Sequence, residues 1–295
     1  MLNPRSPSPA TAAPGPASAP APLHGLFITG TDTGVGKSHV TATLLRALAA
    51  AGWQAGGLKP LAAGLPPLPG GGHGINEDVA LLAAHGQALR DPALVGPCGW
   101  PEPCAPHVAA RLVGERITPQ RVMAGIGRAW QAMAAGGSAA PRALLVEGVG
   151  GFVVPLSDDD APAWDTADLA AALGLPVVLV VGLRLGCLSH ALLTAEAITA
   201  RGLRLAGWVA NRPLAEPMAH EAANVATLGH WLQRRFGAAC WGLLPHDATP
   251  EAPVRAAAAI DAAALQAALR GAVWSGDGVP VAAPAVDAAA AAPAA

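Results

Sequence analysis

The chain has 295 residues, a formal net charge of -2 at pH 7 and only 13% charged residues. This balance offers no basic surface for nucleic acid and no polybasic patch for an anionic membrane, so neither is an expected partner. The longest strongly apolar run, 175–181, is far shorter than the roughly 20 residues of a membrane-spanning helix, which leaves small molecules as the expected ligands.

Both ends of the chain are rich in proline and alanine and lack apolar periodicity. Residues 1–22 and 272–295 are predicted to be disordered tails, because they cannot bury enough apolar surface to offset chain entropy. The first of these segments has neither the charged start nor the apolar run of a secretory signal, so the expected location is cytoplasmic. Residues 23–271 are predicted to form a single domain.

Short β-rich runs alternate with longer helical segments through this domain. The predicted strands are 26–29, 55–59, 143–147, 176–181, 205–210 and 240–244. The predicted helices are 37–50, 76–84, 118 to the glycines at 136 and 137, 166–173, 188–200, 218–235 and 254–269. This alternation predicts an α/β domain with a parallel sheet flanked by helices on both faces. Strand 176–181 is almost wholly apolar and is expected in the centre of that sheet.

A glycine-rich segment, GTDTGVGKS at 30–38, separates the first strand from the first helix. In such a loop the backbone N–H groups and the positive helix terminus surround a polyphosphate. Gly36 allows close backbone approach, Lys37 places its charge on the β- and γ-phosphates, and the Ser38 hydroxyl can bind Mg²⁺. The predicted nucleotide-binding residues here are Gly30, Thr31, Asp32, Thr33, Gly34, Val35, Gly36, Lys37, Ser38 and Val40.

Charged residues lie at the same edge of the predicted sheet. Glu147 ends a buried strand, where a P-loop protein places a carboxylate for Mg²⁺. Asp78 is a candidate second carboxylate, although an acid near a helix N-terminus also stabilises the helix dipole. Lys59 ends the second strand; it could be merely solvated, but phosphoryl transfer requires a fixed cation beside the γ-phosphate. The predicted Mg²⁺ ligands are Ser38, Asp78 and Glu147.

Over residues 26–250 the chain resembles the dethiobiotin synthetase family. The resemblance rests on seven motifs in order: GTDTGVGKS, KPLAAG, NEDVALL, EPCAPHVAA, VEGVGG, LPVVLVVGLRLGCLSHALLT and AGWVAN. It implies a P-loop fold, ATP and Mg²⁺ as cofactors, and a homodimer. The implied reaction closes the urea ring of dethiobiotin from 7,8-diaminononanoate and CO₂, with release of ADP and phosphate.

The same resemblance implies roles for individual residues. Lys37, Lys59 and Thr33 are expected to be catalytic, and Asn211 and Pro245 to lie around adenine. The implied substrate contacts are Lys59, Ala63, Gly148, Gly150, Gly151, Leu185, Gly186, Cys187 and Ser189, of which the last four form a turn that holds a carboxylate across the subunit interface. The chain departs from the family pattern at Gly34, Ala63, Arg184 and Ser189. The changes at Ala63 and Ser189 are each expected to weaken substrate binding by about 1 kcal/mol.

Other classes of protein share this kind of loop. A corrinoid-amidating synthetase would need a glutaminase domain, for which the chain after Cys240, about 55 residues, is too short. A P-loop ATPase switch or a non-catalytic regulatory module of the same fold stays open as the alternative. Partition-type switches carry a lysine and a glycine where this loop has Asp32 and Thr33, which disfavours that class.

Overall fold

The computed structural model of the chain describes residues 22–135, 139–157 and 163–274. Within these residues the strands are β1 (Leu23–Gly30), β2 (Gln54–Leu58), β3 (Leu61–Ala63), β4 (Cys98–Trp100), β5 (Arg142–Glu147), β6 (Val177–Gly182), β7 (Leu205–Asn211), β8 (Cys240–Leu244) and β9 (Val273–Trp274). The central sheet has the order β2-β5-β1-β6-β7-β8, and its strands are parallel. The short β9 pairs antiparallel with β1, and β3 and β4 form a separate small sheet.

Helices cover both faces of the central sheet. They are α1 (Lys37–Ala50), α2 (Glu77–His85), α3 (Pro92–Val95), α4 (Pro106–Leu112), α5 (Pro119–Ala134), α6 (Thr166–Leu173), α7 (Cys187–Ala200), α8 (Glu221–Phe236), α9 (Ala252–Ala256) and α10 (Ala262–Arg270). The connection from β1 through α1 leads to β2, on one side of β1 in the sheet, whereas the connection from β6 through α7 leads to β7, on the other side. Because both crossovers are right-handed, α1 and α7 lie on opposite faces of the sheet. Among the described helices, none is long and apolar enough to cross a membrane.

The central strands form the middle of the core. Every residue of β1, β5 and β6 is buried, and β6 lies between β1 and β7. The expected central position of strand 176–181 is therefore confirmed. Parallel strands all point the same way, so the loops that follow β1, β2, β5, β6, β7 and β8 meet at one edge of the sheet.

The main differences from the sequence predictions lie in short elements. The small β3–β4 sheet and the helices α3 and α4 were not predicted, because segments of three to seven residues carry little periodic signal. The predicted helix 254–269 is broken between α9 and α10. Asp261 accepts the Ala264 N–H at 3.0 Å as a new N-cap, and the preceding Ile260 is extended and buried. Strand β9 falls within the segment predicted as a C-terminal tail, and the glycines at 136 and 137 lie outside the described residues.

Candidate active site

The candidate phosphate-binding loop is the turn between β1 and α1. Gly36 is the N-cap of α1 and has a left-handed φ of 86°. A Cβ added to Gly36 would lie 2.2 Å from Nδ2 of Asn211, at the end of β7. Glycine is therefore required here for its backbone conformation and for the close approach of a neighbouring strand end.

Two valines in this region have structural roles. The Val35 side chain is buried, and Cβ atoms added to Gly30 and Gly182 would lie 2.7 and 2.8 Å from its methyl groups. It thus fixes the loop against the ends of β1 and β6. Val40 was predicted to contact the nucleotide, but its side chain is fully buried in the core. Its N–H donates to the Gly36 carbonyl at 2.9 Å, so the structure does not support a nucleotide contact from this residue.

Gly36→Ala is expected to weaken ADP binding by about tenfold or more, because the new methyl group must displace Asn211 while the backbone keeps a conformation that costs roughly 1–2 kcal/mol. Gly34→Ala is the matched control, since Gly34 has a φ of 72° and nothing within 4 Å of an added Cβ. Both substitutions place an alanine in a left-handed backbone conformation, but only Gly36→Ala also creates a steric clash. Thermal unfolding and ADP titration of both variants measure the difference, and equal losses would contradict the clash.

The Lys37 side chain is buried and folds back over its own loop. Its Nζ donates to the carbonyl oxygen of Asp32 at 2.9 Å. Burial, together with the nearby positive charge of Lys59, lowers the pKa of Lys37 to about 8. The carboxylates of Glu147 and Asp78 act in the opposite direction but do not outweigh these effects. A bound triphosphate would supply the negative charge that this ammonium lacks.

ATP binding is expected to take up protons near pH 8, because the pKa of Lys37 is about 8 in the free protein and bound phosphate raises it. The complex then holds more protons than the free protein, so ATP affinity falls as the pH rises above 8. Calorimetric titration at pH 8 in two buffers of different ionisation enthalpy measures the uptake. Lys37→Met should abolish the proton uptake. A binding heat that does not depend on the buffer would contradict the prediction.

A charge cluster lies beside the loop, where β2 and β5 end as neighbours. The Lys59 Nζ donates to Oε1 of Glu147 at 2.6 Å and lies 2.8 Å from Oδ2 of Asp78. The Ser38 Oγ donates to the same Oε1 at 2.6 Å. Lys59 and Glu147 are buried, whereas the Asp78 side chain is 42% exposed. The structure thus brings together the three predicted Mg²⁺ ligands and Lys59.

The cluster keeps Lys59 and Asp78 ionised. Burial alone would lower the pKa of Lys59, but the carboxylates of Glu147 and Asp78 raise it above its usual value. Burial alone would raise the pKa of Asp78, but the Lys59 ammonium beside it holds that pKa below its usual range. The site therefore offers a fixed positive charge at neutral pH, next to a charged oxygen ligand.

Asn76 positions Asp78 and was not among the predicted site residues. Its Oδ1 accepts the Asp78 N–H at 3.0 Å, and its Nδ2 donates to the carbonyls of Ala63 and Gly64 at 3.0 and 3.2 Å. One side chain thus joins the end of β3 to the start of α2. The sequence carried a signal for this role, because an asparagine directly before two acids and a helix is a typical N-cap.

The glycine-rich loop after β5 lies against the phosphate loop. A Cβ on Gly150, whose φ is 64°, would lie 3.6 Å from Oγ1 of Thr33. A Cβ on Gly151 would lie 3.8 Å from the carbonyl oxygen of Gly30. Gly148 connects this loop directly to Glu147. The predicted substrate-binding glycines and the predicted catalytic threonine therefore lie together.

A cavity of about 640 Å³ extends from Asp78. Its lining also includes Ala63, a predicted substrate contact, together with His73, Asn76 and residues 101–103. The volume falls within the range of small-molecule sites, roughly 300–1,000 Å³. The space beside the charge cluster can therefore hold a small organic ligand.

The two predicted adenine contacts lie at the ends of β7 and β8. Asn211 is 3% exposed, and its Nδ2 donates to the Val35 carbonyl at 2.9 Å. Its Oδ1 is buried and has no hydrogen-bond partner within the described part of the chain. Pro245 is exposed and follows Leu244, which pairs with Asn211 across the two strands. A buried acceptor of this kind suits the exocyclic amino group of a base.

The predicted carboxylate-binding turn, residues 185–189, begins just before α7 and continues into its first turn. Leu185 is 95% exposed, and Gly186 is the N-cap of α7 with a φ of 97°. Ser189 is also exposed. Cys187 differs from expectation, because its side chain is buried and its N–H donates to the Arg184 carbonyl at 3.0 Å. Neither its thiol nor its amide is therefore open to a ligand.

This turn and Lys59 lie far apart along the sheet edge of one chain. The turn follows β6, and Lys59 follows β2, with β5 and β1 between those strands. Three strand spacings correspond to about 14 Å. The turn therefore lies three strands away from Lys59 along the sheet edge of one chain.

The glycine-rich loop lies between a central parallel strand and a helix, next to Lys37, Lys59 and the carboxylates of Asp78 and Glu147. This arrangement is that of a P-loop nucleotide-binding protein. The family model described as "AAA domain" matches residues 24–248. A relative described as "ATP-dependent dethiobiotin synthetase BioD", from Ralstonia nicotianae, is 47% identical over 241 residues, which are 82% of this chain and 96% of that protein. The chain belongs to the dethiobiotin synthetase family.

Two solved structures that match this chain are much more distant in sequence. The MinC:MinD cell division protein complex of Aquifex aeolicus matches with a TM-score of 0.45 and 13% identity, over 85% of this chain and 97% of that chain. The septum site-determining protein MinD complexed with Mg-ADP, from Pyrococcus horikoshii, matches with a TM-score of 0.39 and 15% identity, over 83% and 89% of the two chains.

Proposed function

We propose that this chain catalyses the ATP-dependent closure of the urea ring of dethiobiotin from 7,8-diaminononanoate and CO₂. The observation that carries the proposal is the meeting of Lys37 and Lys59 with a pair of carboxylates beside one phosphate loop, in a member of the dethiobiotin synthetase family. Such a site can hold a triphosphate and stabilise the charge that develops as its terminal group is transferred.

The reaction proceeds through three bond-forming steps. One substrate amine adds to CO₂ and loses a proton, which gives a carbamate. A carbamate oxygen then attacks the γ-phosphorus, and the bond from that phosphorus to ADP breaks. The second amine attacks the carbonyl carbon of the resulting carbamic-phosphoric anhydride. Phosphate leaves, a proton is lost, and the cyclic urea remains.

Positioning and charge account for the roles of the residues, since this sequence of steps needs no covalent protein nucleophile. Lys37 would neutralise the β- and γ-phosphate oxygens. Lys59 would face the γ-phosphoryl group and the carbamate, and it stays charged because its carboxylate partners raise its pKa against the effect of burial. The cavity that extends from Asp78 offers room for the diamine chain.

The oxygen atoms of Ser38, Asp78 and Glu147 fit a magnesium ion. Oxygen ligands of this kind are those that Mg²⁺ prefers. Oε2 of Glu147 is buried and lacks a hydrogen-bond partner within the described ranges, and a buried carboxylate oxygen of this kind calls for a cation or donor to satisfy it. When bound, the ion would neutralise negative charge on the triphosphate.

Purified protein supplied with Mg-ATP, bicarbonate and 7,8-diaminononanoate tests the proposal. ADP and dethiobiotin are expected in equal amounts, and only when both co-substrates are present. ADP release that ignores the diamine would support the ATPase-switch alternative instead. Tight ADP binding without any turnover would support a non-catalytic module.

We also propose that the chain forms a homodimer in which turn 185–189 of one subunit completes the site of the other. The sequence resemblance, which implies a homodimer with the carboxylate-binding turn supplied by the partner, supports this arrangement. Leu185, just before α7, and Leu193, on α7, are 95% and 62% exposed. Exposed apolar side chains of this size suit a subunit interface.

Mixed subunits test the dimer. Lys59→Met and Gly186→Glu should each be inactive alone, because one lacks the lysine and the other blocks the turn. Random heterodimers in an equal mixture would contain one intact site, so about a quarter of wild-type activity should return. No recovery from a mixture that does form heterodimers would contradict the shared site.

We also propose a cytoplasmic location. The four cysteines, all within the described ranges, are free thiols. Secreted proteins usually pair their cysteines, so this pattern supports a reducing compartment.

A further inference from the structure

An ion pair joins the phosphate loop to the turn that begins α7. Nη2 of Arg184 donates to Oδ2 of Asp32, and the two side chains are 41% and 49% exposed. The carbonyl of Arg184 also accepts the Cys187 N–H at 3.0 Å, in the first turn of α7. Arg184 is therefore held at both ends, by its side chain to the loop and by its backbone to the helix.

Asp32, the other half of this link, makes two further contacts inside the loop. Its Oδ1 accepts the Thr33 N–H at 2.7 Å, and its carbonyl oxygen accepts the Lys37 Nζ at 2.9 Å. The Thr33 hydrogen bond and then the Arg184 guanidinium hold the pKa of Asp32 below its usual value, so its carboxylate remains charged. Asp32 thus connects the lysine that meets the phosphates with the arginine beside the α7 turn.

As a source of stability this ion pair is worth little. Ion pairs between exposed side chains contribute about 0–1 kcal/mol. The chain contains a comparable partly exposed pairing remote from the loop, in which Arg201 contacts Asp165 and Asp168. What distinguishes the Arg184–Asp32 pair is its position between two ligand-binding segments.

We propose that Arg184 is a positioning residue that couples nucleotide binding in the phosphate loop to carboxylate binding at the α7 turn. This inference rests on the proposed function, in which the turn holds the carboxylate of 7,8-diaminononanoate. A triphosphate draws the Lys37 amine away from the Asp32 carbonyl, which frees that backbone to move. Because the Asp32 carboxylate is tied to Arg184, the displacement reaches the start of α7, and each ligand strengthens the binding of the other.

Calorimetric titration of 7,8-diaminononanoate with and without Mg-β,γ-imido-ATP measures this coupling. Wild-type protein is expected to bind the diamine about fivefold or more tightly with the nucleotide. Arg184→Met should bring the ratio close to one, and Arg184→Lys should restore it because an ammonium can also reach Asp32. Arg201→Met, which breaks the comparable pairing, should keep the wild-type ratio. An undiminished ratio in Arg184→Met overturns the proposal.

A second measurement separates this proposal from the proposed reaction. Hydrogen exchange of the amides at 185–190, with and without Mg-β,γ-imido-ATP, requires no diamine. Nucleotide should slow this exchange in wild-type protein and leave it unchanged in Arg184→Met. If the nucleotide slows exchange in this way while the diamine fails to bind, the substrate assignment is wrong but the coupling is supported. If nucleotide does not alter exchange in wild-type protein, the coupling is overturned whatever the reaction.

Discussion

Lys59→Met is expected to lower turnover by about 100- to 1,000-fold while changing ATP affinity by less than about threefold. Lys59 is buried against two carboxylates, so its ammonium is fixed and charged before any substrate arrives. Lys37 is still present in this variant, and its proposed contact with the phosphates is expected to preserve ATP binding. The chain has no lysines other than Lys37 and Lys59, so no neighbouring lysine can replace the lost charge.

Lys37→Met is the matched comparison, and it should weaken ATP binding as well as turnover. Initial rates of dethiobiotin formation and titration with ADP separate the two effects. Because Lys59→Met leaves Asp78 and Glu147 without their cation, its thermal unfolding should be followed with and without Mg²⁺. A variant that binds ADP normally and turns over at the wild-type rate would remove Lys59 from the chemistry.

Glu147→Gln is expected to raise the Mg²⁺ concentration needed for half-maximal rate by about tenfold or more and to lower turnover by about 100-fold. The substitution keeps the size of the side chain but removes its charge. Both Ser38 and Lys59 donate to Oε1 of Glu147, and Oε2 has no partner among the described residues. The variant therefore loses both the proposed metal ligand and the main charge partner of Lys59.

Glu115→Gln provides the control for this change. Glu115 pairs with Arg121 at 2.7 Å on the surface, with both side chains more than 40% exposed. It should show wild-type rates and an unchanged Mg²⁺ requirement. Rates measured over a magnesium titration, with thermal unfolding of each variant, make the comparison. A Glu147→Gln enzyme with an unaltered magnesium profile would place the ion elsewhere.

The architecture could be predicted because long buried elements leave a strong periodic signal. The apolar run that became β6 predicted a central strand, and the alternation of strands and helices predicted a parallel sheet. Parallel strands share one carboxyl edge, so Lys59 and Glu147 could be placed near the phosphate loop from their positions at strand ends alone. Their mutual distance of 2.6 Å depends on strand order, which local sequence does not encode.

The finer contacts could not be predicted for a similar reason. Arg184 and Asp32 lie 152 residues apart, and no local pattern indicates that they meet. Val40 and Cys187 were assigned ligand contacts by their place in a motif. Whether a backbone N–H is open to a ligand depends on the hydrogen bond it already makes, and both amides are used within their own chain segments.

The order of the strands in the sheet also affects how the chain folds during its synthesis. β1 leaves the ribosome first among the strands, yet its hydrogen-bonded neighbours are β5, β6 and β9. At 5–20 residues per second, the roughly 110 residues between β1 and β5 take about 6 to 22 s to synthesise. During that interval an apolar strand and its following helix have no sheet to join. A nascent or truncated chain that stops before Arg142 should therefore stay unfolded and depend on chaperones to avoid aggregation.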